Sequence, residues 1–158
     1  MANIQLDNFD RRILNHLQQQ GDLGPSDLSP LVYLSPSQCS RRLQRLKSDD
    51  YIDRIVALLN PAKLNLGVSA YVTVKLRSHA RENKDRFRER VQSLSEVASC
   101  EGMTGETDYM LKVSTRDLES FNRFLATKIH TAEEIDTARS SIILENLKST
   151  TELSLDFC

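Results

Sequence analysis

The sequence predicts an α+β chain in two parts, and three observations carry that prediction. Apolar residues recur at helical spacing in three short runs within residues 6–47. From residue 68 the period changes to two, and strand-like stretches then alternate with helical ones as far as residue 147. Between the halves lies NPAKLNLG, residues 60–67, whose proline, glycine and two asparagines mark a boundary. The expected organisation is one unit over residues 1–59, a hinge over 60–67 and a second unit over 68–158.

Residues 6–20 read as a helix. Asp7 suits its N-cap, Phe9, Ile13, Leu14 and Leu17 form an inward stripe, and Gly21 ends it. A shorter helix follows over residues 25–33, with Leu28, Leu31 and Val32 expected inward. Pro30 removes a backbone hydrogen bond there, a cost of about 3 kcal/mol, so this helix should be short, kinked or begun late. Residues 35–47 (SPSQCSRRLQRLK) carry their own start signal. Ser35 caps, Pro36 takes the first helical position and Gln38 completes a capping box. Cys39, Leu43 and Leu46 make one narrow apolar stripe, and Ser37, Arg41, Gln44 and Arg45 lie away from it. Gln38 and Arg42 stand on its shoulder. Helix, helix, tight turn and basic helix in succession is the helix-turn-helix arrangement. The β-branched run IDRIVALL, residues 52–59, predicts a strand, a wing that continues as the connector.

In the second half Val68, Ala70, Val72, Val74 and Leu76 alternate with polar residues, a strand with one apolar face. Residues 83–94 keep Phe87, Val91 and Leu94 on one side of a charged amphipathic helix. Short strands are expected over 97–102 and 109–114, joined by a turn over 103–108. A helix over 117–130 turns Leu118, Phe121, Leu125 and Ile129 inward, and a last strand over 137–147 precedes a polar tail. The order βαββαβ is the ferredoxin-like sandwich, four antiparallel strands with both helices on one face. Its other face is left open, for self-association to cover.

Composition narrows the function. Of 158 residues 39% are hydrophobic and 27% charged, as in a soluble globular protein, and the net charge of -1 makes the run of Arg41, Arg42, Arg45 and Lys47 a local concentration of cations. No apolar run is long enough to span a bilayer, so no membrane role is expected. Cys39, Cys100 and Cys158 are isolated and odd in number, which fits a reducing cytoplasm rather than a disulfide framework. The three histidines have no ligand-like spacing, so neither a metal nor another cofactor is expected. Catalytic pairs are missing too, which argues against an enzyme.

The basic helix is the candidate nucleic-acid interface. Arg41 and Arg42 can each pair bidentately with guanine, and Gln38 with adenine, each pair worth about 1–3 kcal/mol of discrimination. Ser37 and Arg45 or Lys47 suit phosphate contacts, and Ser35 at the cap belongs to the same DNA-binding set. Two plainer readings stand beside this one. The helix is an ordinary solvated face, or one arginine, Arg42 first, braces the module against an acid such as Asp49.

Four stretches resemble the Lrp/AsnC family of transcription regulators. LDNFDRRILNHL (6–17) is similar to its opening motif and LSPSQCSRRL (34–43) to its recognition helix. VALLNP through LG (56–67) resembles its hinge, and MTGETDYML (103–111) the turn of its effector domain. The resemblance covers residues 6–155. It implies operator DNA as a partner, a homodimer through the C-terminal domains that commonly assembles to an octamer, and a small effector, an amino acid first, bound between dimers. Carried over by position, the effector turn is Thr104, Gly105, Glu106, Thr107 and Asp108, with Ser140 and Ser141 on the last strand as further candidates. Gly105 and Asp108 have a plainer role in holding the hairpin. Asp50-Tyr51 stand where the family usually has a glycine, and Glu133-Glu134 where a Pro-Gly turn is common. Cys100 is open to thiol sensing or to service as a small hydrophobe. An architectural DNA-wrapping protein without an effector, and a small-molecule binder without DNA function, are the alternatives.

Overall fold

The computed structural model describes residues 6–156, so Cys158 lies outside the described residues. The chain divides into two compact units, residues up to Leu58 together with those from Lys148 onward, and Leu59–Leu147.

In the first unit three helices, α1 (Asn8–Gln19), α2 (Pro25–Val32) and α3 (Pro36–Ser48), enclose Leu6, Ile13, Leu14, Leu28, Val32, Cys39 and Leu46. Asp7 caps α1 by accepting from the Asp10 N–H at 2.9 Å, while Asp10 accepts from Asp7 N at 3.2 Å, a reciprocal box. Pro30 leaves α2 only eight residues long. Leu31 faces outward, because the spacing of Leu28 and Val32 sets the inward side.

Two expectations fail in this unit. Residues 52–59 form no strand among the described residues, because no neighbouring segment offers a ladder. Ile55, Val56, Leu58 and Leu59 remain exposed along it. The turn before this run places Asp50 at φ 59°, so the aspartate adopts the left-handed conformation a glycine would supply. The tail from Lys148 also leaves the second unit for the first. Gln18 donates to Leu153 O at 3.2 Å and accepts from Leu153 N at 2.6 Å, and Leu155 packs against the three-helix core. A strand-like pair of hydrogen bonds and one apolar side chain hold a segment whose composition reads as loose.

The second unit is one four-stranded antiparallel sheet of β1 (Val68–Leu76), β2 (Val97–Gly102), β3 (Tyr109–Thr115) and β4 (Ile135–Ile142), in the order β2-β3-β1-β4. Helices α4 (Arg81–Ser93) and α5 (Leu118–Phe124) follow β1 and β3. Their Phe87, Phe121 and Phe124 share a core with Ala70, Val72, Val74, Leu111 and Val113. This is the expected βαββαβ sandwich. The last helix continues as a π turn, Leu125–Ile129, and Phe124 rather than Leu118 is buried. β4 stops at Ile142, short of residue 147, although Ile143 N still reaches Ser69 O at 2.9 Å. Gly67 begins the sheet at a close approach, since a Cβ there would lie 2.9 Å from Arg116 O.

Candidate nucleic-acid interface and effector site

Helix α3 is built as its sequence reads. Ser35 Oγ accepts from Gln38 N at 3.3 Å, and Gln38 Oε1 accepts from Ser35 N at 2.9 Å. The Gln38 carbonyl oxygen also accepts from Ser35 Oγ at 3.0 Å, so this side chain is engaged at the cap rather than held out toward a base.

The arginines divide in two. Arg42 Nη1 donates to Asp7 Oδ2 at 2.7 Å and to Asp10 Oδ1 at 2.8 Å, and Arg45 donates to the second Asp10 oxygen. Asp10 is completely buried. The Arg42 guanidinium also lies 5.3 Å from the centre of the Phe9 ring, a cation–π contact. Burial works to raise the Asp7 carboxyl, but the Asp10 N–H and the Arg42 guanidinium outweigh it and hold the group below its usual range. Arg42 is raised, its loss of water outweighed by the same two carboxylates. The brace anticipated at Asp49 is therefore formed with helix α1, and it takes Arg45 as well as Arg42. Ser37, Arg41, Gln44 and Lys47 are exposed along α3. Among the described residues neither Arg41 nor Lys47 makes an ion pair.

A sequence signal for the brace was present. Asp10 stands at i, with Ile13, Leu14 and Leu17 at i+3, i+4 and i+7, so an acid lay on the inward stripe of α1. A buried acid requires a cationic partner.

The predicted effector turn crosses from β2 to β3. Gly105 sits at φ 111°, outside the range of other residues. Asp108 has a structural task. Its Oδ2 accepts from Leu76 N at 2.7 Å, just beyond the last β1–β3 pair, Val74 with Tyr109, where the ladder no longer supplies an acceptor. His79 Nε2 lies 3.4 Å from its other oxygen. Thr104 and Glu106 are exposed, Thr107 half-buried.

Beside the turn, the open sheet face holds a depression of about 400 Å³ lined by Thr73, Lys75, Glu106, Thr107, Asp136, Thr137 and Arg139. It brings together two of the predicted residues, Glu106 and Thr107, and adds two cations and a second acid. Thr104, Gly105, Asp108, Ser140 and Ser141 do not line it. The last pair also points to opposite faces. Ser141 pairs with Tyr71 and Ser140 with buried Val72, so only Ser141 shares the open side with Thr137 and Arg139. The period-two alternation of β1 places Lys75 and Thr73 on that face, so those residues were readable. The β4 residues required the register.

Cys100 is half-buried against the sheet core, and burial, with Glu101 adding to it, raises its thiol. The thiolate needed for sensing is disfavoured.

Comparisons with known proteins agree with this architecture. The Lrp/AsnC ligand-binding domain matches residues 69–153, and a winged helix-turn-helix DNA-binding family matches residues 6–53. A leucine-responsive regulatory protein of Klebsiella pneumoniae is 32% identical over 148 residues, 94% of this chain and 90% of that one. A transcriptional regulator from Neisseria meningitidis, solved as a complex with L-Met, superimposes with a TM-score of 0.93 at 38% identity, covering 96% of this chain and 98% of the other. An AsnC-family transcriptional regulator from Agrobacterium tumefaciens gives 0.89 at 38% identity, with 96% and 99% covered.

Proposed function

This chain belongs to the Lrp/AsnC family of DNA-binding transcription regulators, and on that premise we propose that its effector is an amino acid held on the open sheet face. The depression beside the 103–108 turn carries the reading. Lys75 and Arg139 offer cations to a carboxylate, and Glu106 and Asp136 offer acids to an ammonium, with threonine hydroxyls between them. A zwitterion presents those two charges within a few ångströms. The regulator solved with L-Met makes methionine the first compound to try.

On the DNA side Arg41 is the base reader, with Ser37, Gln44 and Lys47 on bases or phosphates and Ser35 and Gln38 preserving the start of α3. Arg42 and Arg45 position the helix rather than read it. The protein is a cytoplasmic non-enzyme and a homodimer that assembles further, to an octamer. The exposed apolar run of Val56, Leu58 and Leu59 supports association, since such residues favour a partner surface. Among the described residues no helix is long and apolar enough to cross a membrane.

Calorimetric titration with the twenty amino acids, followed by native mass spectrometry, tests the effector. One amino acid should release heat and shift the assembly, and Arg139→Ala should weaken it about tenfold, some 1.4 kcal/mol. Silence from all twenty removes the effector assignment.

A further inference from the structure

We propose that Tyr33 is a DNA-backbone contact of this regulator, its phenol donating to a phosphate oxygen at the edge of the groove that α3 enters. Tyr33 caps the C-terminus of α2 at φ 59° and ψ 42°, in the left-handed region where helices ordinarily end on glycine. Among the described residues three others than glycine have positive φ: Tyr33, Asp50 and Asn65. Aspartate and asparagine tolerate that conformation, whereas a bulky aromatic residue there is an outlier. The fold gains nothing visible in return. The side chain is 81% exposed, and it makes no ring contact, hydrogen bond or ion pair among the described residues. Its backbone N–H closes the helix onto Ser29 O, and a glycine would make that bond equally well. Strain without an internal contact to offset it points to a contact outside the chain.

Position says which. Tyr33 precedes the N-cap Ser35 by two residues, so their Cα atoms lie within about 7.6 Å of each other. A recognition helix enters the major groove with its N-terminal residues foremost, which brings the residues just before it to the phosphates at the groove's edge. Ser35, Pro36 and Ser37 next to it are exposed and uncharged, so no acid adjacent in the chain repels a phosphate. A tyrosine hydroxyl is a regular phosphate donor, and its ring can lie against a sugar. Tyr33 is thus a positioning contact that affects every sequence alike, distinct from the base reading assigned to Arg41.

The inference rests on the DNA-binding reading, and its test separates the two. A duplex enriched from a random pool by the full chain serves as probe, and failure to enrich any duplex would count against DNA binding itself. With a probe in hand, Tyr33→Gly and Tyr33→Phe are compared by fluorescence anisotropy over a salt series and by thermal melting. Tyr33→Gly should melt at the same or a higher temperature and yet bind about tenfold more weakly, while Tyr33→Phe loses part of that affinity. Because the phenol is neutral, the slope of affinity against salt should stay unchanged in both. Unchanged affinity in Tyr33→Gly overturns the proposal. So does an affinity loss that comes with a lower melting temperature, which would make Tyr33 a structural residue.

Discussion

Each unit of this chain buries one carboxylate against arginine, and the two pairs have different consequences. Asp10, fully buried in the first unit, is held by Arg42 and Arg45 of α3, the helix proposed to meet DNA. Glu134, almost as deeply buried in the second, is held by Arg90 of α4, and its own backbone oxygen accepts from Arg77 N at 2.9 Å and Asn83 Nδ2 at 3.1 Å. Both charges are paired because an isolated buried carboxylate is too costly to keep ionised. Only the first draws its partners from the proposed DNA-binding helix. There, the net cost of forming a buried ion pair is accepted on the element proposed to read DNA. A buried pair adds little net stability over a hydrophobic substitute, but losing one partner is severe. The same chemistry is orientation in one unit and closure of a turn in the other.

The comparison can be broken most sharply at Asp10. Asp10→Asn leaves Arg45 without its counter-charge and Arg42 with Asp7 alone, and the first unit should lose about 3 kcal/mol in urea unfolding. DNA affinity should fall beyond what the unfolded fraction explains, because α3 is no longer held to α1. Normal affinity in the folded fraction would reduce the brace to a packing detail.

Glu134 sharpens the contrast. Burial works to raise its carboxyl, but the Arg90 hydrogen bond and charge, with a backbone N–H, bring it below its ordinary 4.5. A depressed carboxyl contributes stability that is complete above 4.5 and lost as pH falls through its folded value. Glu134→Gln should therefore cost the second unit about 2 kcal/mol at neutral pH, a value discounted because Arg90 is part-exposed. It should flatten the acid limb of that unit's stability curve and leave DNA affinity of the folded protein alone. A steep acid limb in Glu134→Gln would assign the sensitivity to another group.

Arg41 isolates reading from bracing and carries the smallest effect on the fold. Arg41→Ala should leave unfolding unchanged, because the side chain makes no ion pair within the described residues. Binding to the enriched duplex should weaken by about 1–3 kcal/mol, with relaxed preference at one base pair. Equal loss on every sequence would move Arg41 to the phosphates.

The two units also differ in how readable they were. The sandwich followed from periodicity, helical in its two helices and two-residue in its first strand, where the burial of residues 70–76 alternates as a strand with one buried face must. Helix α3 followed from Ser35, Pro36 and Gln38, since capping is local chemistry. The partners of Arg42 and Arg45 were not readable as a pair, because they stand 32 to 35 residues away on another helix. The depression failed in the same way: Thr107 and Arg139 are neighbours only once β4 is aligned on β1. The strand expected over residues 52–59 shows the reverse error. Its residues favour extension, but a ladder needs a second segment that local propensity does not supply.

The sequence by itself determined the periods, the caps and the order of elements, together with the concentration of cations on α3. These depend on neighbours within about one turn or one strand, where short-range sterics and hydrogen bonding act. Only the tertiary structure decided which cations are available. It turned Arg42 and Arg45 inward onto Asp10, left Arg41 and Lys47 outward, and gathered Lys75, Arg139, Glu106 and Asp136 around one depression. Charges interact through space over a few ångströms whatever their separation along the chain, so their partners are chosen by the fold.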